Sequence, residues 1–543
     1  MKNNNKLKLV TAITAGLVLA GCGSGNKTSP EIPEVAVPGV YQVAIPECPS
    51  SATCSASGFV LPANAIYVAP EAANGDNITD EITTALFNLD DNTVVVLPAG
   101  NFVVDSTINI SGASGLTLTG YGIESTILNF DGSTGNDGIK FLGGNNITVR
   151  DLAVHEANKN GLKADGVNGI HFNFTAAVWE TPLAAATADT MNGAYGIYPV
   201  SSQNVLVENS YSKGSADAGI YVGQSNNVVV RNNIAEENVA GIEIENTKNA
   251  DVYNNLAFDN SAGLLSFDLT GTTVPYGGNV RWFNNITRDN NTENVGTGVV
   301  GFAPSGTGLL VFATSDMEFY NNVVTNNKTV GVAISSYFLL DEDVANYGSN
   351  YTSELSNGWS PLVKNINITN NTFSDNGLAP ESDLLNDVIL GYAYGFNATG
   401  EPQPFPTILY GGIGELLSNA GQLTGFDDLR NSIDTDLGIQ ATSVGIDHNA
   451  YDAKDLICES DNINANSPEN PLNIGLVYGV NPLDAANFNS DPAPVATLRL
   501  DSMENKTLLN CTKTTRLTAA TVTINGKVYG CNGDDAGNAA CSL

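Results

Sequence analysis

The run Gly219-Ile-Tyr-Val-Gly-Gln-Ser-Asn-Asn-Val-Val-Val-Arg-Asn232 is echoed 22 residues on by Gly241-Ile-Glu-Ile-Glu-Asn-Thr-Lys-Asn-Ala-Asp-Val-Tyr-Asn254. Each holds two short runs of alternating apolar residues and ends on asparagine. Alternation with period two sends Ile220 and Val222, or Val228 and Val230, to one side of a strand. Working outward, the glycine recurs at Gly138, Gly161, Gly196, Gly219, Gly241, Gly263, Gly308 and Gly331, at steps of 23, 35, 23, 22, 22, 45 and 23. The asparagine-bounded run recurs at Asn204 to Asn209, Asn279 to Asn284 and Asn365 to Asn370. Short strands repeating every 22–23 residues predict the coils of a right-handed parallel β-helix. A leucine-rich repeat would need leucine columns and helices, and neither occurs. Asn232, Asn254, Asn284, Asn321 and Asn370 fall at one turn position. Asparagine tolerates a left-handed backbone there, and stacked amides can bond from coil to coil. The departures from the period are insertions at residues 175–192, 271–278, 291–307 and 337–363. They are expected to project as loops, where function often resides.

The start of the solenoid is also legible. Thr79 to Asn88 reads as a short amphipathic helix, and Thr93 to Gly100 as a strand and turn. Together they resemble the N-terminal cap and first strand of the pectin-lyase-like β-helix superfamily. A cap is needed because an open solenoid end exposes strand edges. The run from about Asn145 to Tyr337 resembles a narrower group of exported, often lipidated parallel β-helix proteins of Gram-negative bacteria. The segments that carry this are Asn192-Gly-Ala-Tyr-Gly-Ile-Tyr-Pro-Val200, Ser215 to Ser225, Asn238 to Asn246 with Ala250-Asp-Val-Tyr253, and Thr329 to Tyr337. That group has no assigned reaction, so the resemblance implies a fold and a compartment rather than an activity.

Composition narrows the partners. The 543 residues include 57 acidic and 22 basic side chains, giving a formal charge of −35. No basic stripe exists to displace the counterions of a nucleic acid. Bare polyanions are disfavoured too, unless cations bridge them. With 42% hydrophobic residues the chain can bury a large core.

The first residues read as an export signal. Lys2, Lys6 and Lys8 precede an apolar stretch from Leu9 to Ala20, too short to span a bilayer. It ends in Leu19-Ala20-Gly21-Cys22, which resembles the lipobox of bacterial lipoproteins and implies a lipid on Cys22. Gly23 follows rather than the aspartate that retains lipoproteins at the inner membrane, so an outer-membrane lipoprotein facing the periplasm or the cell surface is expected. Cleavage would remove three lysines and take the net charge from −35 to −38. Six cysteines remain: Cys48, Cys54, Cys458, Cys511, Cys531 and Cys541. An even count in an exported chain suggests disulfides, with Cys48–Cys54 and Cys531–Cys541 as the local candidates. The expected organisation is a lipoprotein signal peptide (1–21), a lipid-anchored Gly/Ser/Pro-rich linker (22–47) and an N-terminal disulfide and cap region (48–78). The β-helix (79–376), a C-terminal cap or extension (377–457) and a small disulfide-stapled β region (458–543) follow.

Stacking the repeats gives outward columns on the first strand of each coil. One runs Lys140, Lys163, Tyr198, Tyr221, Glu243, Leu265, Leu310, Ala333. The second, two residues on, runs Leu142, Asp165, Val200, Gly223, Glu245, Phe267, Phe312, Ser335. Coils lie ~4.8 Å apart, so Lys163, Asp165, Tyr198, Tyr221, Gln224, Glu243, Glu245 and Asp268 are expected to form one patch. Tyrosines can stack on sugar rings, and carboxylates can bond hydroxyls or hold Ca²⁺, the one ion the pattern suggests. Glu243 and Glu245 are the candidate catalytic pair. Their expected separation of ~6.5–7 Å along a strand is compatible with an inverting glycoside hydrolase. The plainer reading is a solvated acidic face. Lys140, Lys163, Lys213 and Arg231 are candidate cations for a β-elimination, or simply surface charges in ion pairs. His155 and His171 are candidate acid–base groups, or structural ones. Trp179 is a sugar platform or a pin for its loop.

Motifs that would transfer a known chemistry are missing. There is no Asp-Pro-His as in alginate epimerases, no Gly-His-Gly as in polygalacturonases, and no Arg-x-Pro-x-x-Arg as in pectate lyases. Two readings therefore stand. One is a lipoprotein that binds, and cleaves or modifies, a carbohydrate polymer. The other is a non-catalytic scaffold or adhesion protein working with an exported protein partner. A walled cleft with perturbed carboxylates would favour the enzyme, and a flat solvated face the scaffold.

Overall fold

In the computed structural model the described residues are 44–185, 191–337, 340, 351–357, 359, 363–395, 401–411, 457–478, 499–502, 512–513 and 515–542. The expected signal peptide, Cys22 and most of the linker lie outside them, as does Cys511.

The alternating runs form the expected strands. Ala218–Gly223 pairs in parallel with Ala240–Glu245, and Asn226–Arg231 with Lys248–Tyr253, each in register with its copy one coil on. The first strands of the coils build a twelve-stranded sheet, parallel until its last strand, Arg499–Ser502. The second and third strands share a twenty-one-stranded sheet. Ile220, Val222, Val228 and Val230 point inward and are buried in one core that runs the length of the solenoid. Apolar side chains of this kind each contribute about 1.5–3 kcal/mol when fully buried. The helix spans Thr79–Ala85, with Ile82 buried against the first coils.

Asparagines hold the turns as expected, with one correction. Asn232, Asn254, Asn284, Asn321 and Asn370 all adopt the left-handed backbone, with φ of 53° to 56°. The amide ladder, however, is made by the next residue. In the row Asn233, Asn255, Asn285, Asn322, Asn371 and Asn462, each of the first five donates Nδ2 to the Oδ1 of the next member at 2.9–3.0 Å. A left-handed residue reverses the chain, and so turns its successor's side chain inward. A second ladder, Asn238, Asn260, Asn290, Asn327 and Asn376, lies five residues further on. Each amide also bonds a buried backbone carbonyl, so the corners leave few orphaned polar groups.

The solenoid is longer than residues 79–376. Ile66–Tyr67 already pairs with Val94–Val96. Beyond Asn376, Ile408–Gly411 pairs with Val330–Ser335, Cys458–Ser460 with Lys364–Thr369, and Ile474–Tyr478 with Ile408–Gly411. What fades after Asn376 is the regular spacing, not the coil. Arg499–Ser502 then pairs antiparallel and covers the last edge.

Both local disulfides, Cys48–Cys54 and Cys531–Cys541, are present, and Cys458 is also disulfide-bonded. The C-terminal segment does not stand apart. It runs back along the second-strand face, from Arg516 on Glu318, through Thr518 on Asn279 and Thr523 on Asn204, to Asn525 on Asn146. Its hairpin, Val522–Ile524 with Lys527–Tyr529, packs on Leu206, Val229 and a stack of Tyr253, Phe283 and Tyr320.

Candidate functional site

Strand register brings the outward columns together. Tyr198 faces Lys163 on the preceding coil, and Tyr221 faces Glu243 on the next, with Gly223 beside Glu245. Lys163 and Asp165 sit at the open end, half-buried, with Nζ 3.8 Å from the carboxylate and 5.1 Å from the centre of the Tyr198 ring. Tyr195 stacks on Tyr198 at 4.5 Å, and both rings lie 4.9 Å from Tyr221. The Tyr221 ring folds along its own strand over Gly223, where an added Cβ would stand 2.0 Å from the hydroxyl oxygen. That posture delivers the Tyr221 hydroxyl to Glu245.

Glu243, Glu245 and Asp268 do not form the solvated face that the columns suggested. Their exposures are 3%, 9% and 1%. The strand period sets the direction of a side chain but not what folds over it. Here insertions return to the face. Leu269 donates to Asn246 at 2.8 Å, Gly277 to Asp268 Oδ1 at 2.8 Å, and the Trp359 indole to the Asp268 carbonyl at 3.1 Å. Gln224 accepts from the Thr273 amide at 2.9 Å and so ties down this cover. Tyr221 is buried too, which leaves Tyr195 and Tyr198 as the accessible rings. Leu265, Phe267, Leu310 and Phe312 lie under the insertions, as expected.

Two residues missed by the sequence reading complete the cluster. Tyr195 hydrogen-bonds Asp217, which is half-buried and close enough to raise the proton affinity of Glu243 and Glu245. The signal was available. Tyr195 is the one aromatic at the position before each repeat glycine, and Asp217 the one acid at the position before that.

The electrostatics follow from burial. Burial, opposed by the Tyr195 hydrogen bond, pushes Asp217 up to about 7. Burial, opposed by the Tyr221 hydrogen bond and helped by the Asp217 charge, pushes Glu245 up to about 7. Burial, set against hydrogen bonds from Thr314 and Gly277, pushes Asp268 up to about 8. Glu243 lies well above the usual carboxylate range through burial and the charges of Asp217 and Glu245. Among the described residues no cation pairs with these four carboxyls, and Glu243 Oε2 and Asp268 Oδ2 have no hydrogen-bond partner. Nor does any group of three or more His, Cys, Asp or Glu side chains among them converge as a metal would require. The Ca²⁺ that the columns suggested therefore has no assembled ligand set among the described residues.

The other candidates lie in ion pairs or in buried surroundings. His171 Nε2 meets Glu208 Oε1 at 2.8 Å, and Arg231 bonds Glu208, Asp534 and Asp535 at 2.7–2.9 Å. Burial alone would raise Glu208, but the hydrogen bond and charge of His171, with Arg231, hold it at about 2. Lys213 pairs with Glu180 and Glu237, and Lys140 with Asp137. Burial lowers His155. Trp179 is buried and donates to the Ala157 carbonyl at 2.8 Å, so it pins its loop.

The architecture is a right-handed parallel β-helix. Residues 85–280 match the family model described as the right handed beta helix region. Among solved structures, the chain resembles the A-module of Azotobacter vinelandii mannuronan C-5 epimerase AlgE4. Identity is 16%, the match covers 64% of this chain and 91% of that one, and the TM-score is 0.41. It also resembles the catalytic unit of a Streptomyces thermodiastaticus GH87 α-1,3-glucanase at 15% identity, over 66% of this chain and 52% of that one, with a TM-score of 0.39. A polygalacturonase of Erwinia carotovora subsp. carotovora matches at 11% identity, over 54% and 96%, with a TM-score of 0.31. These likenesses concern the fold alone. No curated protein matches the chain.

Proposed function

We propose that this chain is an exported, lipid-anchored protein that binds a carbohydrate polymer on its first-strand face, at the end bearing Lys163, Asp165, Tyr195 and Tyr198. The observation that carries the reading is the half-buried tyrosine stack with Lys163 over one ring. Aromatic faces pack against the C–H surfaces of sugar rings, while Lys163 and Asp165 bond hydroxyls. The acid behind the stack favours a neutral polymer, or an acidic one only with Ca²⁺ between. The anchor is Cys22, and the compartment is the outer membrane, facing the periplasm or the outside.

Catalysis rests on the carboxyls next to the stack. A carboxylic acid that keeps its proton near neutral pH is what a general acid requires, and Asp217 and Glu245 meet that condition beside the open end. Glu243 then acts with Glu245 as the carboxyl pair. The burial of Glu243, Glu245 and Asp268 supports the second reading, in which the face binds without turnover and serves a scaffold with an exported partner. A glycan array with product analysis separates them. Wild type is expected to retain a polymer, Tyr198→Ala to lose at least about tenfold in affinity, and Glu243→Gln/Glu245→Gln to stop product release while retaining polymer. Retention without product from wild type removes the enzyme reading, and no retention on any glycan removes both sugar readings.

A further inference from the structure

Past the carboxyls, the first-strand face becomes apolar. Glu245 is followed on the next coils by Phe267 and Phe312, and Glu243 by Leu265, Leu310, Ala333 and Leu409. The insertion at residues 291–307 and the helix Asn386–Tyr394 cross over these residues and pack on part of them. Between lies a cavity of about 290 Å³. Phe267, Leu310, Phe312, Ala333 and Leu409 make its floor, and Val299, Phe302, Leu385 and Val388 its roof. Among the described residues, Ser335 supplies the one hydroxyl of the lining, and no Lys, Arg, Asp or Glu contributes to it. Native interiors rarely leave voids larger than a water, and a large apolar void takes apolar guests in preference to water. Phe302 lines the cavity yet is 47% exposed, so it marks a mouth open to solvent.

We propose that this cavity binds one unbranched alkyl or acyl chain of an amphiphile with an uncharged head. Volume sets the length. At ~30 Å³ per water-sized group the space holds roughly ten methylenes. Shape sets the class. The floor crosses four coils, about 14 Å at ~4.8 Å per step, and suits a chain better than a fused ring. Charge sets the head. The molecule carries −35, and among the described residues the lining has no basic side chain to receive a carboxylate or phosphate. The inference stands apart from the carbohydrate reading, because it concerns different coils and different chemistry.

Calorimetry on the full chain tests it, with decyl maltoside below its micelle concentration, hexyl maltoside, maltose and decanoate as probes. Decyl maltoside is expected to bind once per chain. Hexyl maltoside should bind at least about tenfold more weakly, since each buried methylene adds to affinity, and decanoate more weakly than decyl maltoside. Ala333→Phe fills the cavity from the floor and Val388→Phe from the roof. Each should abolish decyl maltoside binding without lowering the melting temperature. Failure of decyl maltoside to bind wild type overturns the proposal. So does equal affinity for the hexyl compound or for maltose, or a stoichiometry well above one. Decanoate binding as tightly as decyl maltoside overturns the uncharged head. These comparisons need only wild type, so a variant that fails to fold does not spare the proposal, and maltose alone reports on the sugar face separately.

Discussion

The two outward faces of this solenoid treat the same functional group in opposite ways. On the second-strand face, buried Glu208 and Asp251 lie against Arg231 and Arg281, and Glu208 is held at about 2. On the first-strand face, Glu243, Glu245 and Asp268 are as deeply buried and have no cation partner among the described residues; Glu245 and Asp268 hold their protons to about 7 and about 8, and Glu243 lies well above the usual carboxylate range. A chain with 22 basic residues has placed arginines where the C-terminal segment docks and, among the described residues, none where the tyrosines gather. The first arrangement is a fastening. The second stores protons beside an open edge, which is the more costly choice for stability and the more useful one for chemistry.

The contrast can be broken most sharply at Arg231. Arg231→Ala strands Glu208, Asp534 and Asp535 without their shared cation, and should cost about 3–5 kcal/mol in chemical denaturation while exposing residues 516–542 to protease. A melting temperature within error of wild type would show that the C-terminal hairpin holds by packing alone. Next comes pH. Asp217, Glu245 and Asp268 have raised pKa values in the folded chain, so their contribution is full below the unfolded value of about 4 and is lost as pH rises towards about 7 or 8. Asp268→Asn should flatten the fall between about pH 5 and about pH 7 by about 2 kcal/mol. Glu208 runs the other way: its contribution is full above about 4.5 and is lost as pH falls towards about 2, so Glu208→Gln should flatten only the acid limb. Identical pH profiles for the two variants would erase the distinction between the faces. Asn285→Ala, which cuts one rung inside the ladder, should cost about 1–3 kcal/mol with no change in either limb. Least of all, Lys163→Met should shift stability by under about 0.5 kcal/mol, because its ion pair is at the surface, while weakening glycan retention.

Much of this was open to reading in the chain itself. Gly219, Gly241 and their repeats set the coil length, and alternation set which of Tyr221 and Val222 faces out. Burial over the outward columns was not legible, because Gly277, Leu269 and Trp359 reach Asp268 and Asn246 from insertions whose return path no periodicity encodes. Asp217 and Tyr195 were overlooked because they precede the strand core, where the repeat is weakest. The docking of the C-terminal segment was hidden for another reason. It uses corner asparagines such as Asn204 and Asn279, which look identical whether they meet water or a backbone amide.

The asparagine ladder has a direction. Every amide from Asn233 onward gives its hydrogen the same way, Ser210 feeds the first oxygen through its backbone N–H, and Asn462 delivers the last hydrogen to Glu459 Oε1 at 2.8 Å. A row of aligned dipoles therefore begins on an amide and terminates on a carboxyl. Whole coils can be spliced into such a row without disturbing either terminus, whereas a fraction of a coil leaves one amide facing nothing. Molecular length in this architecture is thus quantised, and duplication in units of 22 or so residues is the natural way for it to grow.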